Sequence, residues 1–573
     1  MSSTDILRYI DSIARDKEID KEELFAAVET AVAQALARKY GIDDLELKLN
    51  RDSGQWVCNY EVALQDQGRI LAQAVKQAII TKVREAERDV LYGEFEQKIG
   101  EGFIRGDLFD LPAGPLSVVF GLQARHFEYE LDPGPSAGPI SGLNAQTPSK
   151  GKNSFEDVFM EALVPIVRDA AWAKSLDLNV GYRVSSAEFE DELNDIKPPS
   201  DDSDAYFASL SWQPLDYLRV RTGFQRSVRA PNFGELFDGG GSAPQYFDPC
   251  SVTTVARRGP NAAQLRALCI ATGLNAAQAD VYVQTPGNQI SITTAGNTAL
   301  EPETADSFSI GLVFTSPWGG ALENLQATLD YSRIKIKDPI IDPSPNVIVA
   351  SCYNYYGTNP TFNPAHPDCQ GIVRAGGDIL FLSSPFDPTG NGLYPGVNAG
   401  EIKGDSIDLQ INYGIRVPGG DLKTSLLLTR LLSSEKQDSP DLPLIDYSGT
   451  VTFFGEDLGS SAPEMKANLS AVYTVGNFAF DARVRWIDSM DNRAGAIFPG
   501  ETSFTGVPSV TYLDLGASWK MGFLGNDSQL RIGVNNVTDK QPPVYAPNVQ
   551  SGTESSLYDV IGRRIFGQII LKF

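Results

Sequence analysis

Four of the five cysteines form two close pairs, Cys250 with Cys269 and Cys352 with Cys369, each inside one long polar stretch. The chemistry open to them is disulfide formation in an oxidising compartment, worth about 3 kcal/mol for a loop of this size. Cys58 stands alone, and no CxxC spacing offers a zinc site. With only His126 and His366 in the chain, a histidine triad or metal centre has little material. Gly239-Gly240-Gly241 follows no strand-to-helix pattern and reads as a flexible loop, not a phosphate cradle. Asp201-Asp202 are neighbours in a loop, and adjacency does not pair carboxylates for acid–base work. A non-enzymatic chain is expected, with no catalytic residue, metal or cofactor. Tyr246 and Phe247 in stretch 231–302, and Tyr353, Tyr355 and Tyr356 in stretch 339–399, are the candidate ligand contacts. Packing beneath the disulfides is the other use for the same rings.

The elements that must hold these loops are strands. Leu513, Leu515, Ala517, Trp519 and Met521 alternate with Asp514, Gly516, Ser518 and Lys520, and Phe478, Phe480, Ala482, Val484 and Trp486 with Asp481, Arg483 and Arg485. One apolar and one charged face suits lipid on one side and water on the other. Fourteen strands are expected, at 116–130, 155–168, 174–189, 204–214, 217–230, 303–316, 322–338, 400–416, 420–437, 463–476, 478–490, 507–521, 527–539 and 562–573. The intervals between them alternate long and short throughout, which a sandwich has no reason to do and a transmembrane barrel does. Both cysteine pairs fall in long intervals, the extracellular ones under that polarity.

Composition permits this. No run of about 18 apolar residues marks a membrane helix, but barrels spread their apolar residues over alternate positions. A formal charge of −25 argues against direct nucleic-acid binding, which needs clustered Lys and Arg. Residues 1–102 carry 14 basic and 20 acidic side chains, leaving 34 and 53 for the rest. The opening Met1-Ser2-Ser3-Thr4-Asp5-Ile6-Leu7-Arg8 lacks the apolar core and cleavage site of a signal peptide.

Residues 1–102 follow a different period. Leu24, Val28, Ala31, Ala35 and Leu36 make an apolar helical stripe opened by Asp20-Lys21-Glu22-Glu23. Leu45–Leu49 and Trp56–Val62 read as a hairpin about Arg51-Asp52-Ser53-Gly54, and a long helix is expected from about Arg69 to Phe95. "EELFAAVETAVAQALARKY", "LNRDSGQW" and "AQAVKQAIITKVREAER" closely resemble the N-terminal domain of the transcription factor NusA. That resemblance implies contact with RNA polymerase, for which Lys82, Arg84 and Arg88 are candidates. The RNA-binding S1 and KH domains of that family do not follow.

"RSVRAPNFGELF", "LEPETADSFSIGLVF", "LDYSRIKIKDPI", "LRIGVNNVTDKQPP" and the ending "IGRRIFGQIILKF" resemble the C-terminal barrel of TonB-dependent outer-membrane receptors. Ile569, Leu571 and Phe573 would form the C-terminal sorting signal of such a barrel. The resemblance implies uptake of a siderophore, vitamin or oligosaccharide, with outer-membrane lipid and the TonB system as partners. A plug, a TonB-contacting segment and about eight of 22 strands are absent from the expected pattern.

The sequence therefore predicts a mainly β chain: an incomplete antiparallel barrel over 103–573, preceded by a small α+β domain over 1–102. It is read first as an outer-membrane receptor and second as a polymerase-binding fragment carrying a barrel piece. With no signal peptide in the chain as written, a cytoplasmic, misassembled product is the expectation if it is expressed in that form. The two patterns meet near Gly102, where a fusion of two genes is expected.

Overall fold

The computed structural model describes residues 25, 26, 28–30, 32, 33, 47–49, 56–58, 95–131, 148–237, 242–245, 248–284, 290–342, 345–375, 377–382, 393–437, 442–451, 461–493, 504–521, 528–544 and 552–571. It divides into two compact units, Met1–Lys98 with Phe127–Leu131, and Ile99–His126 with Asp132–Phe573.

In the smaller unit, residues 25, 26, 28–30, 32 and 33 are helical, and Leu47–Leu49 pairs antiparallel with Trp56–Cys58. Phe25, Val28 and Val32 lie at helical spacing and are buried, as are the outer two residues of the strand, Leu47 and Leu49. Glu29 accepts the Leu49 N–H at 2.8 Å, tying helix to strand. The expected helix from Arg69, including Lys82, Arg84 and Arg88, lies outside the described residues up to 94.

The larger assembly is a sixteen-stranded antiparallel sheet. Fifteen strands follow one path in chain order: β1 (Phe95–Leu111), β2 (Gly114–Leu131), β3 (Ser149–Ala170), β4 (Ala173–Asp191), β5 (Asp201–Leu215), β6 (Leu218–Arg229), β7 (Glu303–Thr315), β8 (Asn324–Lys337), β9 (Glu401–Val417), β10 (Gly420–Lys436), β11 (Met465–Val475), β12 (Phe478–Ile487), β13 (Val510–Lys520), β14 (Gln529–Asn535) and β15 (Arg564–Ile570). The short strand Ile445–Asp446 pairs off β10. Every one of the fourteen expected strands is present, and β1 is added. It was hidden because Gly100, Gly102 and Gly106 interrupt any two-faced alternation. Gly102 thus lies inside a continuous strand. The extra strand extends the loop rule, since only 112–113 separate β1 from β2. Gly419 and Gly476 adopt positive φ in two of the other short turns, where a side chain would be strained.

Register aligns the apolar face. Leu312 opposes Leu329, Leu329 opposes Leu409, and Leu409 opposes Leu428, forming one row across four strands. Phe308, Ile310 and Leu312 of that face are exposed, the arrangement expected where lipid is the solvent. Towards the short turns the row ends in aromatic residues. Tyr217, Phe314 and Trp318 cluster there, and Phe478 stacks on Trp519. Such rings suit the membrane–water interface. Towards the long loops the same face turns ionic: Arg226 and Lys337 hold Asp306, and Arg333 holds Asp405 at 2.7 Å. Charges are costly in hydrocarbon, so these pairs mark the upper limit of the apolar band.

The opposite face is polar. Arg221 makes a two-pronged bond to Asp330 at 3.0 and 2.7 Å, and Arg483 bonds Asp514 at 2.9 Å. Because thirteen strands, each antiparallel to the next, lie between them, β1 and β15 run in the same direction. From Ile99 onwards both are exposed except at Leu111 and Phe566, which are half-buried, as suits strands at the ends of a sheet.

Candidate functional site on the polar face and in the loops

The long intervals 231–302 and 339–399 fold together. Strands Ser242–Gln245, Ile290–Ala295, Ile372–Ala375, Asp378–Leu382 and Tyr394–Pro395 form one five-stranded sheet from both intervals. Disulfides join Cys250 to Cys269 and Cys352 to Cys369, and all four cysteines share a buried core with Leu265, Leu268, Ile348 and Val349. At its centre the Arg374 guanidinium donates to both carboxylate oxygens of Asp248, at 2.6 and 2.8 Å, with both side chains buried. It also donates to the Gly377 carbonyl and the Tyr353 hydroxyl. Burial disfavours the charged form of Arg374, yet the Tyr353 and Asp248 oxygens outweigh it and raise its pKa. Burial and Asp248 also push the Tyr282 phenol up, so it stays protonated.

This module accounts for part of the loop aromatics. Tyr353 is 2% exposed and its hydroxyl lies 2.6 Å from that of Thr272, so it packs the core. Tyr355 and Tyr356 are half-buried. Tyr355 lines a small recess of about 130 Å³ with Leu265, Asn261 and Phe362. Tyr246 and Phe247 lie outside the described residues. Ile569 and Leu571 are exposed at the end of β15, and Phe573 lies outside the described residues.

Two quoted motifs meet where the module joins the sheet. Asn232 and Glu235 cap a short helix reciprocally: the Glu235 N–H donates to Asn232 at 2.9 Å, and the Asn232 N–H to Glu235 at 2.7 Å. Arg229 grips Glu235 and, from β7, Glu303. The chain leaving β6 and the chain entering β7 are thereby clamped together. Asn536 plays a matching part after β14: it is buried at positive φ, its N–H donates to Asp514, and its side chain bonds the Lys540 backbone.

A concavity of about 650 Å³ opens on the polar face of β2 to β6, in the half nearest the long loops. That is the size of a small-molecule site. Its floor is aromatic, and glycines make it so. The Phe159 ring lies where a side chain on Gly121 would be, and Phe207 where one on Gly181 would be. Arg183 rests over Phe159 with its guanidinium carbon 5.0 Å from the ring centroid, and Arg125 over Phe155 at 4.9 Å. Arg125 is held by Asp157 at 3.1 Å, and Asp157 also accepts from Ser185. None of these groups stood out in the sequence. The alternation places Arg183 and Phe159 on one face, but only register sets them opposite each other.

The model for "TonB dependent receptor-like, beta-barrel" matches residues 43–537, and that for "NusA N-terminal domain" matches residues 5–60. The curated relatives include the transcription termination/antitermination proteins NusA of Rickettsia conorii and Bacillus subtilis. The first is 31% identical over 137 residues, 18% of this chain and 27% of that protein. The second is 28% identical over 142 residues, 18% and 38%. Similar solved structures include the FrpB iron transporter from Neisseria meningitidis (15% identity, 84% of this chain and 55% of that one, TM-score 0.48). Another is the siderophore receptor PirA from Acinetobacter baumannii (13%, 83% and 62%, TM-score 0.42). The chain thus spans about a quarter of the first curated relatives and little more than half of these receptors. With its family model covering most of its length, and its strands, loop alternation and two-faced sheet of the kind that model describes, the chain belongs to the TonB dependent receptor-like β-barrel family.

Proposed function

We propose that this protein is an outer-membrane receptor that takes a small substrate, such as a siderophore, vitamin or oligosaccharide, through its disulfide-stapled loops to the polar wall. The observation that carries the reading is the concavity of about 650 Å³ at the loop end of that wall, aromatic-floored and edged with arginine. Family membership supports it and implies coupling to the TonB system. The chemistry of such a site is recognition and passage, with no bond made or broken. Cells producing the chain should yield it in the outer-membrane fraction, migrating differently in gels with and without heating. Recovery wholly in the soluble fraction would overturn the reading.

A second reading is favoured by the NusA N-terminal match over residues 5–60. In it, the smaller unit contacts RNA polymerase, with Lys82, Arg84 and Arg88 as contacts and no direct hold on nucleic acid. Co-purification of polymerase with the tagged chain from the soluble fraction supports it, and an outer-membrane location without polymerase refutes it.

A further inference from the structure

We propose that the concavity on β2 to β6 is an anion site, with Arg183 anchoring a planar carboxylate-bearing ring laid on the Phe159–Phe207 floor. The inference rests on the receptor reading only for where the ligand comes from, and the geometry stands without it. Three arginines reach the cavity from the polar face: Arg125, Arg183 and Arg229. Arg226 also borders it, but alternation turns its side chain to the opposite face, onto Asp306. Two of the three are neutralised within the protein: Arg125 has Asp157, and Arg229 has Glu303 and Glu235. Among the described residues no carboxylate lies within ion-pair distance of Arg183. Its one assigned partner is the face of Phe159.

A half-buried guanidinium stacked on a ring is held in place while its N–H edge stays open. That edge matches a carboxylate, which accepts two parallel N–H bonds. The flat rings beside it match a planar body, because Gly121 and Gly181 let Phe159 and Phe207 lie down against the strands instead of standing into the cavity. Ser185, Ser203, Gln225 and Ser227 supply further hydrogen-bonding groups on the wall. The cavity also contains one exposed carboxylate, Glu161, on the same face as Phe159. It would repel an anion and so sets a second, opposite test.

The probes are 4-fluorobenzoate and its uncharged counterpart 4-fluorobenzamide, added to the full chain in detergent and followed by fluorine NMR line broadening. The benzoate should bind and the benzamide should bind at least about tenfold more weakly, as a charged hydrogen bond is worth. Arg183→Gln should remove that preference, Arg183→Lys should keep part of it, and Glu161→Gln should tighten the benzoate. Heat-dependent gel migration checks that each variant is folded. Equal binding of the two probes, or a folded Arg183→Gln that keeps the preference, overturns the proposal. A chain that binds benzoate in this way yet is absent from the outer membrane leaves the site standing and removes the receptor reading.

Discussion

Replacing Arg374 with methionine should open the loop module while leaving the barrel strands intact. The substitution keeps most of the volume but removes four hydrogen bonds, two of them to Asp248. Asp248 would then be a carboxylate with a 1% exposed side chain, retaining the Cys250 N–H at 2.9 Å as a partner. Breaking a buried pair from one side costs about 3–5 kcal/mol, because the remaining charge is uncompensated. At about 1.4 kcal/mol per tenfold, the opening equilibrium should rise by a factor of roughly one hundred to a few thousand. Amide exchange read by mass spectrometry on peptides covering 248–284 and 345–382 measures this directly, with peptides from β9 and β10 as internal reference. Adding Asp248→Leu should recover most of the loss, since the stranded charge goes with it. Arg266→Ala, which removes a surface pair with Asp280, should leave the same peptides unchanged. A change below about tenfold for Arg374→Met would refute the claim that this pair organises the module.

Converting Cys250 and Cys269 together to serine should cost the module about 3 kcal/mol, seen as faster trypsin cleavage at Arg257, Arg258 and Arg266 with heat-dependent migration retained. Gly181→Ala should displace the Phe207 ring and cost about 1–3 kcal/mol as overpacking does, lowering the temperature at which the folded gel band is lost. Burial would raise the Asp446 pKa, but the N–H groups of Ser434 and Ser448 and the Ser448 hydroxyl outweigh it and leave it depressed. A depressed folded pKa stabilises above the unfolded value, so exchange protection of 442–451 should hold near neutrality. It should be lost as pH falls through the folded value, and Asp446→Asn should flatten that dependence.

What was legible in the chain is what period and punctuation encode. Alternation over ten or more residues dictates strand and face wherever lipid or water selects one side, so fourteen strands and their sorted loops followed from residue order alone. Where glycines erase the alternation, as at Gly100, Gly102 and Gly106, β1 stayed hidden although it paired with its neighbour by backbone bonds that need no side chain. The join between the helical and stranded patterns therefore falls within a strand.

Sequence by itself determined the two-faced strands, the loop alternation and the family motifs, because these depend on local order. Tertiary structure alone decided which groups meet. Tyr353 became core because Thr272 and Arg374 arrive from distant segments to bond its hydroxyl. Arg183 was left without a carboxylate because register places Phe159 opposite it and directs Asp157 to Arg125. Pairings across tens of residues are fixed by strand order and stagger, and no local pattern of residues contains them.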